Sequence, residues 1–326
     1  MHGTPSGPDA TQVDGPAGAP AIELRGLTKR FGDTLALDDV DLVVQPGVVF
    51  GFLGRNGAGK TTALRILSGL ARPTAGSARV LGHDVGHANN AVRMRIGFLP
   101  DVPGFYPWMT AREYLDFAGR LFGLDQATLE TRATALLEMA GLASVTTRVG
   151  GFSRGMKQRL GIAQALINAP SLLMLDEPTS ALDPIGRREV LEMVASLRGR
   201  TTVFFSTHIL ADVERVCDAV AILERGRVVE SADIAELTAR ATANRLVVEV
   251  EGDGAAAVAS ALAGREWVKS LEITDGTLRV TVSDLPAAQR EIPAVIAAAG
   301  APLRRFEIEE ASLEDVFVEL VGGPAR

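Results

Sequence analysis

One cysteine, Cys217, in 326 residues leaves no partner for an intrachain disulfide and too few thiols for a cysteine-based zinc site, which points to a reducing compartment. Cationic residues are also short: 33 Lys and Arg stand against 40 Asp and Glu, a net charge of −7. No global positive excess is available to coat phosphates, so nucleic acid is not an expected partner. Long apolar runs are missing. The best candidate, 160–175, is interrupted by Gln164, Asn168 and Pro170, and falls short of the roughly 18 residues that signal a membrane helix. Residues 1–20 lack the basic and apolar segments of a secretion signal; their Gly, Pro and Ala bias reads as a disordered arm. Any membrane association must then come through a partner.

What is present is enough chain for two domains at the usual size of about 150 residues. From residue 21 to about 240 short apolar strands alternate with helices, the grammar of an α/β fold on a largely parallel sheet. Val48–Leu53, Ile96–Leu99, Ser171–Leu175 and Thr202–Phe205 read as buried strands, and 110–168 as mostly helical. Glu224-Arg225-Gly226 suits a tight hairpin between Val220–Leu223 and Arg227–Val229. Over 241–326 the order becomes β-α-β-β-α-β, which suggests a small α+β, ferredoxin-like unit. A last short helix is expected from Ser312, with Asp315 completing a capping box.

The sharpest chemical signal is Gly54-Arg55-Asn56-Gly57-Ala58-Gly59-Lys60-Thr61, with Thr62 following, placed between a strand and a helix. Glycines let successive amides turn inward around phosphate oxygens where a Cβ would interfere, and the helix N-terminus adds partial positive charge. Lys60 can reach the outer phosphates, and the Thr61 hydroxyl can ligate Mg²⁺. Ser171–Leu175 ends in Asp176 and Glu177, at the end of a strand that faces the ligand crevice of an α/β sheet. Asp176 suits Mg²⁺, and Glu177 suits a base that polarises an attacking water, a role worth about 10²–10⁴-fold. Ser153 and Gly155 open a helix, where a hydroxyl, a glycine backbone and the helix N-terminus suit either an anion site or a plain N-cap with a flexible neighbour. His83 and His87 lie in a Gly-rich loop without acidic or cysteine support and read as solvated residues, not metal ligands.

The order of phosphate loop, FSRGMKQRL, LLMLDEP, SALD and STH resembles the ATP-binding cassette (ABC) ATPases over about residues 22–235. The resemblance implies ATP and Mg²⁺ as cofactors and a P-loop NTPase fold: a RecA-like core with antiparallel β and helical subdomains, the latter near 102–168. It assigns the residues as follows. Phe31 stacks on adenine, in place of the commoner tyrosine. Residues 54–62 hold the phosphates. Thr61, Asp101 and Asp176 face the metal, with Asp101 where glutamine is usual. Ser153 and Gly155 press on ATP bound by a second subunit, although Arg154 and Met156 depart from the family's glycine and glutamine. Asp183 belongs to the loop connecting two composite sites, and His208 contacts the γ-phosphate. Catalysis falls to Lys60, Glu177 and His208.

Seven of the 16 aromatic residues lie between Phe98 and Phe122: Phe98, Phe105, Tyr106, Trp108, Tyr114, Phe117 and Phe122. Phe117 and Phe122 are expected in the helical core; Phe105, Tyr106 and Trp108 are expected to line a groove for a helix of a membrane subunit. FSRGMKQRL and the closing ASLEDVFVEL look like ATPase subunits of bacterial multidrug exporters of the daunorubicin-resistance kind. That implies a homodimer sandwiching two ATP molecules, a separate polytopic permease, and a place at the cytoplasmic face of the membrane. Two other readings remain open. One is a soluble single-cassette ATPase acting as an assembly factor; the other is a phosphoryl-transferring enzyme, which would leave Ser153, Asp183 and His208 without a task.

Overall fold

A computed structural model of the chain describes residues 19–87, 90–242, 245–251, 254–274, 276–308 and 317. The helix expected from Ser312, with Asp315, lies outside the described residues, as does most of the N-terminal arm. The chain divides into two compact units after Asp233, a few residues ahead of the expected boundary near 240. The difference is a helix over Ile234–Thr242 that belongs with the second unit.

The first unit contains β1 (Ile22–Phe31), β2 (Thr34–Val44), β3 (Val49–Gly54), α1 (Lys60–Leu67), β4 (Ala75–Val80), β5 (His83–Asp84), α2 (Asn90–Arg93) and β6 (Ile96–Leu99). It continues with α3 (Ala111–Leu121), α4 (Gln126–Met139), α5 (Arg154–Leu166), β7 (Leu172–Asp176), α6 (Pro184–Ala195), β8 (Thr202–Thr207), α7 (Leu210–Val216), β9 (Ala219–Glu224) and β10 (Arg227–Asp233). Six strands form one sheet in the order β10-β9-β3-β8-β7-β6, parallel except for β10. β3, β7 and β8 are buried at every position, which is why they read as unbroken apolar runs without alternation. A second, antiparallel sheet runs β2-β1-β4-β5.

Helix α1 lies in the core that the two sheets share. Ala63, Leu64, Ile66 and Leu67 are buried there with Ile22, Leu24 and Val80 from one sheet and Phe52, Met174 and Phe204 from the other. The helix is amphipathic: this apolar face is buried, while Thr61 and Arg65 remain exposed. The phosphate loop is thus anchored between two sheets. Arg225 and Gly226 both take positive φ (47° and 82°), the type I′ geometry that closes the β9–β10 hairpin as its sequence required.

Helices α3, α4 and α5 form the helical region. Thr110 and Glu113 close a capping box at the start of α3, Ser153 caps α5 through Met156 N–H, and Asp183 caps α6 through Gly186 N–H with Pro184 at the first position. Tyr114 is the buried ring of this region, its hydroxyl within 3.1 Å of Gly104 O and 3.2 Å of Gln164 Oε1. Phe117 and Phe122, expected in the core, are only half-buried: on α3 the buried stripe passes through Ala111, Tyr114, Leu115 and Ala118.

The second unit contains α8 (Ile234–Thr242), β11 (Arg245–Val250), α9 (Gly254–Leu262), β12 (Val268–Thr274), β13 (Thr277–Val282), α10 (Leu285–Ala298) and β14 (Leu303–Ile308). Its sheet runs β12-β13-β11-β14 with every neighbour antiparallel, the ferredoxin-like order. Alternation does the sorting: Leu246, Val248, Val250, Leu278, Val280 and Val282 share a core with Val258, Leu262, Ile292 and Ile296 of the helices.

The strand that delivers Asp101 and the helix that Ser153 opens touch at Gly97, where an added Cβ would sit 2.1 Å from Ala165 O. Backbone cannot yield there as a flexible side chain would. Gly97→Ala should therefore destabilise the protein by about 2 kcal/mol, lowering the melting temperature by roughly 5 °C in a thermal scan.

Candidate functional site

The parallel register gathers the site. Asp176 stands opposite Ser206 in the β7–β8 ladder, and Phe52 and Leu53 stand opposite Ser206 and Thr207 across β3–β8. The C-terminal ends of three strands thus open on one crevice, which receives the loop 54–59 from β3, Asp176 and Glu177 from β7, and His208 from β8. Of the loop's glycines, Gly57 and Gly59 take positive φ (83° and 114°), Gly57 with open space around it. Gly54 and Gly59 are also held to glycine by close packing. A Cβ on them would meet Leu223 O and Ala36 O, each at 2.5 Å. At these two positions the absence of a Cβ also lets the loop pack on its own scaffold. Gly226 N–H, in the hairpin turn, donates to Ala58 O at 2.9 Å and braces the loop from outside. Helix α1 has no side-chain cap at Gly59, so its first amides are free of side-chain partners and face the loop. Arg55, Asn56 and Thr61 are exposed, Thr62 half-buried.

Lys60 is 5% exposed, and its Nζ donates to Gly54 O at 2.6 Å and Arg55 O at 3.2 Å. It also pairs with Glu177 Oε1 at 3.1 Å, while His208 Nδ1 lies 2.8 Å from Glu177 Oε2. The expected catalytic residues therefore converge on one carboxylate. Glu177 itself has φ 49°, an uncommon conformation for a non-glycine residue. Its N–H donates to both Ser206 O and Ser206 Oγ at 3.1 Å.

Asp176 is 2% exposed. Its Oδ1 accepts from Ser206 Oγ at 2.7 Å and Thr61 Oγ1 at 3.3 Å. Burial holds its pKa above the ordinary carboxylate value; the two hydroxyl bonds oppose that shift, and the neighbouring charges of Glu177 and Asp101 add to it. Asp101 brings a buried Oδ1 with no hydrogen-bond partner among the described residues. Thr61, Asp176 and Asp101 are hard oxygen donors, two of them carboxylates short of compensation, and this set fits Mg²⁺. Ser206 had no role in the sequence reading, yet it ties Asp176 to Glu177. Its only sequence signal is a polar residue closing an apolar strand, just before Thr207-His208.

Ser153, Gly155 and Asp183 form a second group. Helices α5 and α6 meet at their first turns, where a Cβ on Gly155 would lie 3.5 Å from Gly186 Cα. Among the described residues, no hydrogen bond or ion pair joins Ser153 or Asp183 to Lys60, Asp176, Glu177 or His208. Phe31 is 53% exposed, its ring 4.7 Å from Lys29 Nζ, and offers a free face for stacking. Trp108 (59% exposed) and Tyr106 (42%) pack against each other at the surface, their rings tilted by 42° with centroids 5.2 Å apart. Phe105 turns inward instead, edge-on to Tyr114.

Residues 37–180 match the ABC transporter family, and 233–321 match the C-terminal domain of ATP-binding proteins like DrrA1-3. The bacitracin transport ATP-binding protein BcrA of Bacillus licheniformis is 37% identical over 93% of this chain and 97% of its own length. The daunorubicin resistance ATP-binding protein DrrA3 of Streptomyces coeruleorubidus is 38% identical over 94% and 97%. Among solved structures, an ATP-binding cassette in a dimeric post-hydrolysis state with ADP and Pi superposes with a TM-score of 0.59. It is 26% identical, and the match covers 65% of this chain and 98% of that one.

Two outcomes follow from the charge arrangement. Lys60→Ala removes the one lysine aimed at the loop and should weaken ATP binding at least about tenfold in an equilibrium titration, a loss of roughly 1.4 kcal/mol. Because Asp176 has a raised pKa, its charged form costs stability at neutral pH, a cost relieved as pH falls through its folded-state value toward that of an ordinary carboxylate. Asp176→Asn should therefore raise the melting temperature of the nucleotide-free protein by a few degrees, and adding Mg²⁺ to its ATP complex should raise that temperature no further.

Proposed function

The chain belongs to the ABC transporter ATP-binding family, and from that premise we propose that it is the ATP-hydrolysing subunit of a bacterial exporter of antibiotic-like compounds. What carries the exporter reading is the extent of the likeness. The bacitracin and daunorubicin relatives align over nearly the whole chain, and the second unit matches a domain type named for the daunorubicin group. Among the described residues no helix is long and apolar enough to cross a membrane. The pore then belongs to a separate permease, and this subunit docks at its cytoplasmic face. The exposed Tyr106–Trp108 pair is the surface we assign to that docking.

Two copies act together. Each ATP lies between the phosphate loop of one protomer and the Ser153–Gly155 segment of its partner, with Asp183 near the junction and Phe31 against the adenine. This accounts for the separation of the two groups within one chain. Bound Mg²⁺, held by Thr61, Asp176 and Asp101, supplies positive charge at the phosphates.

The residues of this chain divide the remaining work. Phosphate oxygens compete with Glu177 for Lys60 Nζ, so nucleotide binding frees Glu177 Oε1 to accept a hydrogen bond from the attacking water. His208 keeps the other oxygen oriented and lies near the terminal phosphate. Closure of the dimer pulls on the permease, and hydrolysis reopens it.

Glu177→Gln keeps the side chain's shape but removes its basicity. This variant should bind ATP normally, lose more than about 99% of turnover and accumulate as a nucleotide-bound dimer on size-exclusion chromatography. Wild-type turnover would remove Glu177 from the role. A mild detergent pull-down from host membranes tests the partner. Stoichiometric recovery of a polytopic membrane protein is expected, whereas recovery of soluble partners alone would favour an assembly-factor role.

A further inference from the structure

Asp212 is an acid placed where acids are rarely tolerated. It lies in the first turn of α7, four residues beyond His208, and is 0% exposed. Two groups hold its carboxylate. Thr179 Oγ1 donates to Oδ2 at 2.6 Å, and Arg187 Nε donates to Oδ1 at 2.5 Å. Thr179 is itself buried and stands two residues beyond Glu177. Arg187 lies in the first turn of α6, whose cap is Asp183, and its N–H donates to Asp183 O.

One buried carboxylate therefore joins three segments: the turn that carries Glu177, the helix that follows His208, and the helix that opens at Asp183. Among the described residues, no hydrogen bond or ion pair joins Asp183 directly to Glu177 or His208. The turn also needs an outside hold. Glu177 sits at φ 49°, and within the turn Ser180 N–H donates to Glu177 O and Leu182 N–H to Thr179 O. A backbone in an uncommon conformation persists only where its surroundings over-determine it. Ser206 fixes the turn on one side, and the Thr179–Asp212 bond fixes it on the other. Buried acids are retained at a desolvation cost, so this one invites a task beyond packing.

We propose that Asp212 is a positioning residue for ATP hydrolysis, setting Glu177 and His208 in place relative to α6 through Thr179 and Arg187. The proposal rests on the reading of Glu177 as the group that activates water. It predicts that movement of the Asp183 end of α6, the end assigned to the dimer junction, is felt at Glu177 through Arg187 and Asp212.

The test uses the full-length protein. Asp212→Asn keeps the shape and one acceptor oxygen but removes the charge that holds Arg187. It should lower kcat by about 10- to 100-fold, the scale expected from displacing a reacting group by around 1 Å, with KM and ATP affinity within about twofold of wild type. Thr179→Val, which leaves the Asp212–Arg187 pair intact, should produce the same split with a smaller loss. The deciding measurement is the double variant. If Asp212 acts through Glu177, E177Q/D212N turns over no more slowly than E177Q alone in single-turnover assays. A merely structural residue would add its loss to that of E177Q and would weaken ATP binding as well, and either result overturns the proposal. So would wild-type kcat in D212N. If D212N does not melt cooperatively, Thr179→Val and Arg187→Met carry the same test, and normal kcat in both rejects the proposal. Should E177Q itself turn over normally, the underlying reading fails. An inactive E177Q beside a fully active D212N would sink the positioning role alone.

Discussion

Asp176 and Ser206 face each other across the β7–β8 ladder, and the 2.7 Å bond between them is the contact on which the site depends. It is short because the two strands are parallel neighbours ending at the same level. They stay there because every residue of both is buried, so no slip in register leaves the packing intact. Ser206 then reaches sideways to the Glu177 amide, so one hydroxyl fixes both the acid suited to a metal and the acid suited to a base. The phosphate loop joins the same arrangement from β3, which pairs with β8 in a register that sets Leu53 beside Thr207. The sheet thus acts as a jig, and its positional accuracy comes from apolar burial.

The charges set on that jig do not balance. Asp101 and Glu177 bear on Asp176 as like charges, Lys60 pairs with Glu177, and burial raises the cost of ionising Asp176. Such a crevice gains by receiving cations and by letting Lys60 exchange one anionic partner for another. Its stability is given up locally for function: an acid with a raised pKa, Asp176, has as its charged neighbours a glutamate at positive φ and an aspartate, Asp101, with an orphaned carboxylate oxygen. The anchoring of α1 between two sheets offsets these costs, since Ala63, Leu64, Ile66 and Leu67 are buried without any polar compromise.

Much of this was legible in the chain because the pattern and the chemistry coincide there. Buried parallel strands announce themselves as apolar runs, and Asp176, Glu177 and His208 mark where those runs end. The ferredoxin-like unit was legible for the opposite reason, alternation that is clean over Leu278–Val282 and interrupted only by Val247 over Leu246–Val250. Strands β1 and β2 were not found from periodicity. Their alternation is broken by register shifts between Leu24 and Arg30, and by positive φ at Gly26 and Asp39. Helix α8 was not legible, because nothing in its composition separates it from the hairpin before it. The aromatic cluster was misjudged in detail. Which ring of α3 is buried depends on the phase of the helix against α5, and composition is blind to phase. Ser206, Thr179 and Asp212 escaped because short polar residues next to apolar runs usually serve as caps or turn formers, and only the fold brings these three to carboxylates and amides far away in sequence.

The separation of Ser153 and Asp183 from Lys60 and Glu177 has a consequence for how such a protein can be regulated. Two groups held on different helices communicate only through what links those helices. In this chain α5 and α6 touch through glycines at Gly155 and Gly186, and Arg159 of α5 pairs with Glu189 of α6 at 3.4 Å. From α6 a second polar link runs through Arg187 to Asp212, and from there to Thr179. Rigid apolar packing fixes where the strand ends stand, while a small buried polar network joins the turn of Glu177 to the helix of Asp183. Hydrogen bonds break and re-form over fractions of an ångström, and close-packed aliphatic cores do not. A site that must alternate between holding and releasing ATP is best served by placing its adjustable contacts in the polar network and its fixed ones in the sheet.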